Sequence, residues 1–155
     1  MKGNKKIISA LNQLLAGELT AMDQYFIHSR MYQDWGLNKL FERIDHEFDD
    51  EKNHAAALIE RILFLEGIPD LSKRAPLNIG KDVVSMLESD LALEYAVVKE
   101  LRDVMALCEK EQDYGTRQVL QQMLDDTEID HAYWLEKQLG LVKRLGLKNY
   151  LQSQL

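Results

Sequence analysis

The stretch FERIDHEFDDEKNHAAALIERILFL, residues 41–65, carries apolar side chains at alternating intervals of three and four positions. This spacing places them on one face of an α-helix. One charged residue, Glu51, takes a position in the apolar series, and His54 follows it three positions later. The stretch therefore predicts a long packed helix that carries an acidic side chain into the interior.

Three other segments repeat this pattern, and each apolar series is interrupted by one glutamate near the middle of its segment. The four interrupting residues are Glu18, Glu51, Glu94 and Glu128. Each half of the chain is divided into two segments by one glycine, Gly36 in the first half and Gly115 in the second, since glycine often follows a helix end. The pattern predicts helices over about 4–34, 37–65, 82–112 and 116–143, and a short helix over about 147–152.

Both prolines of the chain, Pro69 and Pro76, lie between Gly67 and Gly80. Proline disrupts a helix interior, so residues 66–81 are predicted to form a long connection between the second and third helices. Seams of alternating spacing are typical of helices packed about 20° from antiparallel. The sequence therefore predicts one all-α domain over residues 1–155, a ferritin-like four-helix bundle with a long crossover and a short fifth helix.

The composition narrows the partners of the chain. A formal net charge of -7 disfavours nucleic acid, and no apolar run is long enough for a membrane span. The single cysteine, Cys108, cannot form an intrachain disulfide and is predicted to be a small buried apolar residue. These features predict a cytoplasmic protein.

Four carboxylates at similar heights in a bundle interior would repel one another and lose hydration. Two divalent cations would balance their charge, so the pattern predicts a dinuclear metal site. Two of the glutamates begin Glu-x-x-His motifs, Glu51 to His54 and Glu128 to His131. Positions three apart share a helix face, so each histidine is predicted to bind one metal.

In this interpretation Glu51 and Glu128 bridge the two ions, while Glu18 and Glu94 bind one ion each. Carboxylate and imidazole ligands suit iron, manganese and zinc alike, so the ligand types alone do not select the metal. Tyr25 lies two turns from Glu18 on the same seam. It is a candidate electron donor to an oxidised centre, although a core aromatic with a satisfied hydroxyl is the simpler interpretation.

The chain resembles the bacterioferritins over nearly its whole length, and all six ligand positions carry the residue types of that family. The resemblance rests on LLAGEL at 14–19, IERILFLEG at 59–67, SDLALE at 89–94 and NYLQ at 149–152. It implies iron storage and detoxification in a shell of twenty-four subunits, with ferroxidase activity toward Fe(II) using O2 or H2O2. It further implies additional iron at His46 and Asp50 on the inner surface, where a solvated acidic face is an equally good interpretation.

One departure from the family concerns haem. Bacterioferritins bind haem between two subunits through a methionine directly after the second-helix glutamate, and that position here is Lys52. A protonated amine is a poor axial ligand, so the homo-oligomer is predicted to lack this haem. In the family, a small ferredoxin partner reduces the stored iron through this haem, so the departure also puts that electron path in question here. Co-assembly with a second, haem-binding subunit is an alternative.

Two other functions fit the same bundle. A rubrerythrin-like di-iron peroxidase would share both Glu-x-x-His motifs without storing iron, but the chain has no cysteine pairs of the rubredoxin type. A structural or catalytically silent cage subunit would be expected to have lost one or more ligands. The size of the particle and its rate of Fe(II) oxidation distinguish these functions.

Overall fold

The computed structural model describes residues 1–155 and contains helices without strands. The helices are, in chain order, α1 (Lys5–Asp34), α2 (Asn38–Phe64), α3 (Val83–Lys110), α4 (Tyr114–Asp125), a π-helical segment (Asp126–Ala132), α5 (Tyr133–Leu145) and α6 (Leu147–Ser153). The π segment joins α4 to α5 without a break, so the three form the fourth long helix of the bundle. This architecture confirms the predicted all-α, ferritin-like fold class.

The helices pack as two pairs. Helix α1 packs along α2, and α3 packs along α4, the π segment and α5. Contacts between α1 and α3 and between α2 and α4 join the pairs. The interior between the pairs therefore receives side chains from all four long helices.

Three helices end in the same hydrogen-bonded turn, in which one residue adopts a left-handed conformation. This residue is Gly36 after α1, Glu66 after α2 and Gln112 after α3, with φ of 76°, 62° and 59°. In each turn the next backbone N–H reaches a carbonyl five residues back, as from Asp113 to Cys108 at 2.8 Å. Such turns satisfy carbonyls that the helix leaves free.

The prediction that Gly115 separates the third and fourth helices is wrong. The left-handed turn lies at Gln112, the Asp113 side chain accepts a hydrogen bond from the Thr116 backbone N–H, and Gly115 is already within α4. Gly115 instead lies against Arg61, whose guanidinium would be 2.6 Å from a Cβ atom at this position.

The predicted crossover is confirmed, and it lies along α1. Four α1 side chains accept hydrogen bonds from its backbone N–H groups: Asn12 from Asp70, Thr20 from Ala75, Gln24 from Asn78 and His28 from Gly80. Three of these side chains stand four residues apart and so share one helix face. The crossover is thus held by polar contacts where proline and glycine exclude a helix.

The apolar core consists of two clusters that lie at different heights in the bundle. One contains Leu15, Leu58, Leu101 and Leu120, and the other contains Tyr32, Ile44, Met86 and Leu135, among further residues. Five buried residues occur, along their helices, between members of the two clusters: Glu18, Glu51, His54, Glu94 and His131. The metal-binding candidates therefore form a polar layer inside an otherwise apolar interior.

The last helix, α6, folds back onto the bundle. Tyr150 is buried and donates a hydrogen bond to Gln138, and the Lys39 backbone N–H donates to the Gln154 carbonyl at 3.0 Å. Cys108 is buried and unpaired, as expected for a small apolar residue. None of the helices has the length and apolar character needed to span a membrane.

Candidate metal centre

Three long helices each contribute one of the predicted glutamate ligands to the polar layer. Glu18 from α1, Glu51 from α2 and Glu94 from α3 are each only 1% exposed. His54 from α2 and His131 from the π segment join them. Five of the six predicted ligands therefore meet in the interior.

Glu51 lies between the two imidazole rings. Its Oε2 is 3.2 Å from Nδ1 of His54, and its Oε1 is 3.0 Å from Nδ1 of His131. Glu18 approaches Nδ1 of His54 at 3.7 Å, and Glu94 approaches Nδ1 of His131 at 3.5 Å. These contacts form two ligand sets that share Glu51, namely Glu18, Glu51 and His54, and Glu51, Glu94 and His131.

Several buried polar atoms of the two sets have no hydrogen-bond partner. They are both carboxylate oxygens of Glu18, one oxygen of Glu94 and Nδ1 of His131. Native interiors rarely leave such atoms without a partner unless an ion or a water serves them. Oxygen and imidazole nitrogen at this spacing are suitable donors for a divalent transition metal. The residues present therefore fit a pair of metal ions.

The layer shifts the protonation of its own groups. Burial and the Glu51 charge raise the pKa of Glu18 well above its usual value, and burial and Glu51 raise that of Glu94 to about 7. Burial would lower the pKa of His54, but Glu18 and Glu51 raise it to about 11. Protons thus offset the negative charge when no metal is present, and metal binding must displace them.

Glu51 shows the opposite shift. Burial alone would raise its pKa, but Glu18 and the two histidines hold it below its usual value. The shared residue is therefore the carboxylate that stays ionised in the metal-free layer. An ionised oxygen toward each histidine suits a bridging ligand.

Glu128 does not join the layer, and its predicted placement requires correction. Its side chain contacts Arg102 and is 34% exposed. The prediction assumed a regular α-helix, in which residues three apart share a face. The π segment forms wider turns with hydrogen bonds between residues five apart, so the buried Thr127, and not Glu128, shares the interior face with His131.

Asp126 lies in the same π segment as His131, and the sequence analysis missed it. Its Oδ2 is 3.1 Å from Nε2 of His54. Nothing in the α-helical spacing indicates this contact, because it depends on the wider turn of the π segment.

A second acidic group, of which the sequence analysis named only Asp50, lies on the other side of His131. Oε2 of Glu47 is 2.6 Å and Oδ2 of Asp50 is 3.2 Å from Nε2 of His131, and Asp130 is close to both. Glu47 is buried and stands four residues before Glu51, so helical spacing could have indicated it. Arg43 contacts both Glu47 and Asp130 and supplies a positive charge.

The remaining predicted residues occupy different environments. The buried Tyr25 hydroxyl donates a hydrogen bond to Glu94, and burial raises the Tyr25 pKa well above its usual value. His46 is 61% exposed and lies 3.4 Å from Asp50, whose other neighbour is His131. Lys52 is exposed on α2. Tyr25 and Asp50 thus contact residues of the ligand sets, while the side chains of His46 and Lys52 are exposed on the surface of the bundle.

A helical bundle with a long crossover and two carboxylate and histidine sets around one shared glutamate defines a ferritin-like metal-binding protein. A family model described as the ferritin-like domain matches residues 8–145. The chain therefore belongs to the ferritin family, which supports iron binding, iron oxidation and iron storage in an oligomeric shell as its general role.

Individual relatives agree with this assignment. A bacterial ferritin of Synechocystis sp. is 61% identical over 155 residues, which cover 100% of this chain and 99% of that protein. A bacterial ferritin of Paramagnetospirillum magnetotacticum is 60% identical over 154 residues, 99% of this chain and 94% of its own length. A bacterioferritin of Mycobacterium avium is 39% identical over 150 residues, 97% of this chain and 94% of its own length. The resemblance to bacterioferritins is confirmed.

Proposed function

We propose that the chain is an iron-storage subunit that oxidises Fe(II) at the two ligand sets and deposits ferric mineral inside a shell of twenty-four copies. The observation that carries the proposal is the shared Glu51, which faces both histidines through different oxygens. Two Fe(II) ions held side by side supply two electrons, the number needed to reduce O2 to H2O2 or H2O2 to water. We propose both as oxidants.

Each residue has a separate task in this reaction. Glu18 and His54 would hold one Fe(II) ion, Glu94 and His131 would hold the other, and Glu51 would bridge them. Glu128 would act in binding only if its side chain left Arg102. Three glutamates leave one positive charge of two Fe(II) ions uncompensated, and Glu128 would balance it if its side chain turned away from Arg102.

Tyr25 is proposed as an electron donor. An oxidised tyrosine must release its proton, and the hydroxyl already donates to Glu94, which would accept it. The electron would pass to the oxidised iron. Until it is oxidised, the Tyr25 phenol stays protonated, because burial raises its pKa.

His46 and Asp50 are proposed to bind further iron near the storage cavity. Asp50 lies between the exposed His46 and the buried His131, so an ion there would stand beside the ligand sets. The contact of Arg43 with the neighbouring Glu47 limits the negative charge of this region.

The assembly rests on apolar surface as well as on family membership. Large exposed apolar side chains on α1 and α2 include Phe26, Ile27, Leu63 and Phe64. These side chains are available for contacts between subunits. We propose a cytoplasmic homo-oligomer, with co-assembly beside a haem-binding subunit as the alternative that Lys52 suggests.

Stopped-flow oxidation of Fe(II), with particle size measured on the same sample, tests this function. We expect oxidation far faster than in buffer and a particle of about twenty-four subunits that retains ferric iron. Rapid peroxide consumption by a dimer without iron retention would support a rubrerythrin-like peroxidase. Absence of any acceleration in an assembled shell would support a silent cage subunit.

A further inference from the structure

Each metal-facing histidine has a carboxylate on its other ring nitrogen. Nδ1 of His54 faces Glu18 and Glu51, while its Nε2 is 3.1 Å from Oδ2 of Asp126. His131 follows the same pattern, with Nδ1 toward Glu51 and with Nε2 in a hydrogen bond to Asp50 and close to Glu47. In both cases this carboxylate and the histidine come from different helices, one from α2 and the other from the fourth long helix.

This arrangement selects one form of the imidazole. A neutral histidine carries one N–H and one nitrogen lone pair, and a metal needs the lone pair. An acceptor at Nε2 keeps the hydrogen there and leaves Nδ1 free for the metal. Asp126 offers such an acceptor to His54.

The Asp126 carboxylate is itself oriented. Gln122, one turn earlier on the fourth helix, donates from Nε2 to Oδ1 of Asp126 at 3.1 Å, which leaves Oδ2 for His54. Asp126 is the first residue of the π segment, so the wider turn begins where this contact is made. The chain Gln122, Asp126, His54 runs from the surface to the ligand set.

We propose that Asp126 is a positioning residue that holds His54 in the ring orientation and tautomer required for metal binding at Glu18 and Glu51. The inference rests on the proposed function, because it assumes that His54 binds a metal. Outer carboxylates of this kind typically change metal affinity by about 10- to 100-fold. Asp126 itself remains outside the ligand set.

Titration of the metal-free, assembled protein with Co(II), followed by visible absorption, tests the proposal. The wild type is expected to bind two Co(II) ions per subunit at the ligand sets. Asp126→Ala is expected to lower the affinity for one of the two Co(II) ions by about 10- to 100-fold and to change the absorption of that ion. Asp126→Asn is expected to restore binding to within a few-fold, because the amide oxygen accepts the same hydrogen bond and Gln122 can reverse its own amide.

Asp125→Ala is the matched control. Asp125 accepts a hydrogen bond from Gln121 at 3.0 Å in the same four-residue spacing, but is exposed and contacts neither histidine. The Asp125→Ala substitution should leave the affinity and the absorption of both Co(II) ions unchanged. Wild-type affinity and absorption in Asp126→Ala would overturn the positioning role while leaving the proposed function intact.

Two other results would also overturn the inference. Equal loss in Asp126→Asn and Asp126→Ala would mean that the negative charge or direct coordination matters, and not the hydrogen bond. Failure of the wild type to bind two Co(II) ions would remove the proposed function and the inference together.

Discussion

At the residue scale, Glu51 connects the two halves of the metal-binding layer. Its two oxygens face different histidines, and it remains ionised while Glu18 and Glu94 favour protonation. The layer therefore mixes charged and neutral carboxyls in the absence of metal. Metal binding would replace these protons by cations.

Removal of one ligand should stop fast oxidation without dispersing the shell. We expect Glu18→Ala, and likewise His131→Ala, to slow the initial Fe(II) oxidation by more than about 100-fold, since even outer residues of metal sites change activity by 10- to 100-fold. Assembly should persist because the apolar clusters above and below the layer are unchanged. Stopped-flow absorbance and size-exclusion chromatography measure the two effects, with the exposed Glu42→Ala as control. Normal oxidation in Glu18→Ala would contradict the assignment.

Metal-free stability should depend on pH through Glu94. A carboxyl whose folded-state pKa is raised stabilises the fold below its unfolded-state pKa and loses that contribution as pH rises through the folded-state value. For Glu94 this interval runs from about 4.5 to about 7. We expect Glu94→Gln to raise the free energy of unfolding at pH 8, relative to the wild type, by up to about 3 kcal/mol.

Urea unfolding at pH 4 and pH 8, with a chelator present, measures this difference. The glutamine keeps an oxygen for the Tyr25 hydroxyl, so the hydrogen bond from Tyr25 is preserved. An equal effect of the substitution at both pH values would be incompatible with the raised pKa.

At the element scale, the π segment determines which side chains of the fourth helix reach the interior. Its turns bury Thr127 and His131, bring Asp126 to His54 and leave Glu128 beside Arg102. Such segments frequently occur at functional sites. The Thr127 hydroxyl donates to the Met123 carbonyl at 2.8 Å and thus adds a hydrogen bond at the start of the segment.

The turn after α3 offers a stabilising substitution. Gln112 adopts φ of 59°, a left-handed conformation that costs a residue with a Cβ about 1 kcal/mol or more. We expect Gln112→Gly to raise the free energy of unfolding by about 1 kcal/mol, since glycine has no such steric cost. Chemical denaturation measures the change. Gln112→Ala, which keeps a Cβ, is the control and should give no comparable gain.

At the scale of the whole molecule, the predicted absence of haem rests on one exposed residue. Lys52 is exposed on α2, next in sequence to Glu51, the residue that the two ligand sets share. Its charge is unfavourable beside a porphyrin, and its protonated amine offers no lone pair to haem iron. A single gene product should therefore form a shell without methionine-ligated haem.

Visible spectroscopy of the purified shell, produced with ample haem supply, tests this expectation. The wild type should show no stoichiometric haem with methionine ligation, whereas Lys52→Met restores the thioether at the same position and provides the comparison. Haem bound in equal amount by the wild type would show that Lys52 does not prevent binding. Native shells that contain two polypeptides would instead support co-assembly.

The sequence by itself determined the helices, the long crossover and the convergence of Glu18, Glu51, His54, Glu94 and His131. These follow from periodicity, because regular α-helices convert spacing along the chain into a common face. Only the tertiary structure decided the position of Glu128, the contact of Asp126 with His54 and the approach of Glu47 to His131. Those features depend on a π-helical turn and on distances between helices, which local spacing does not encode.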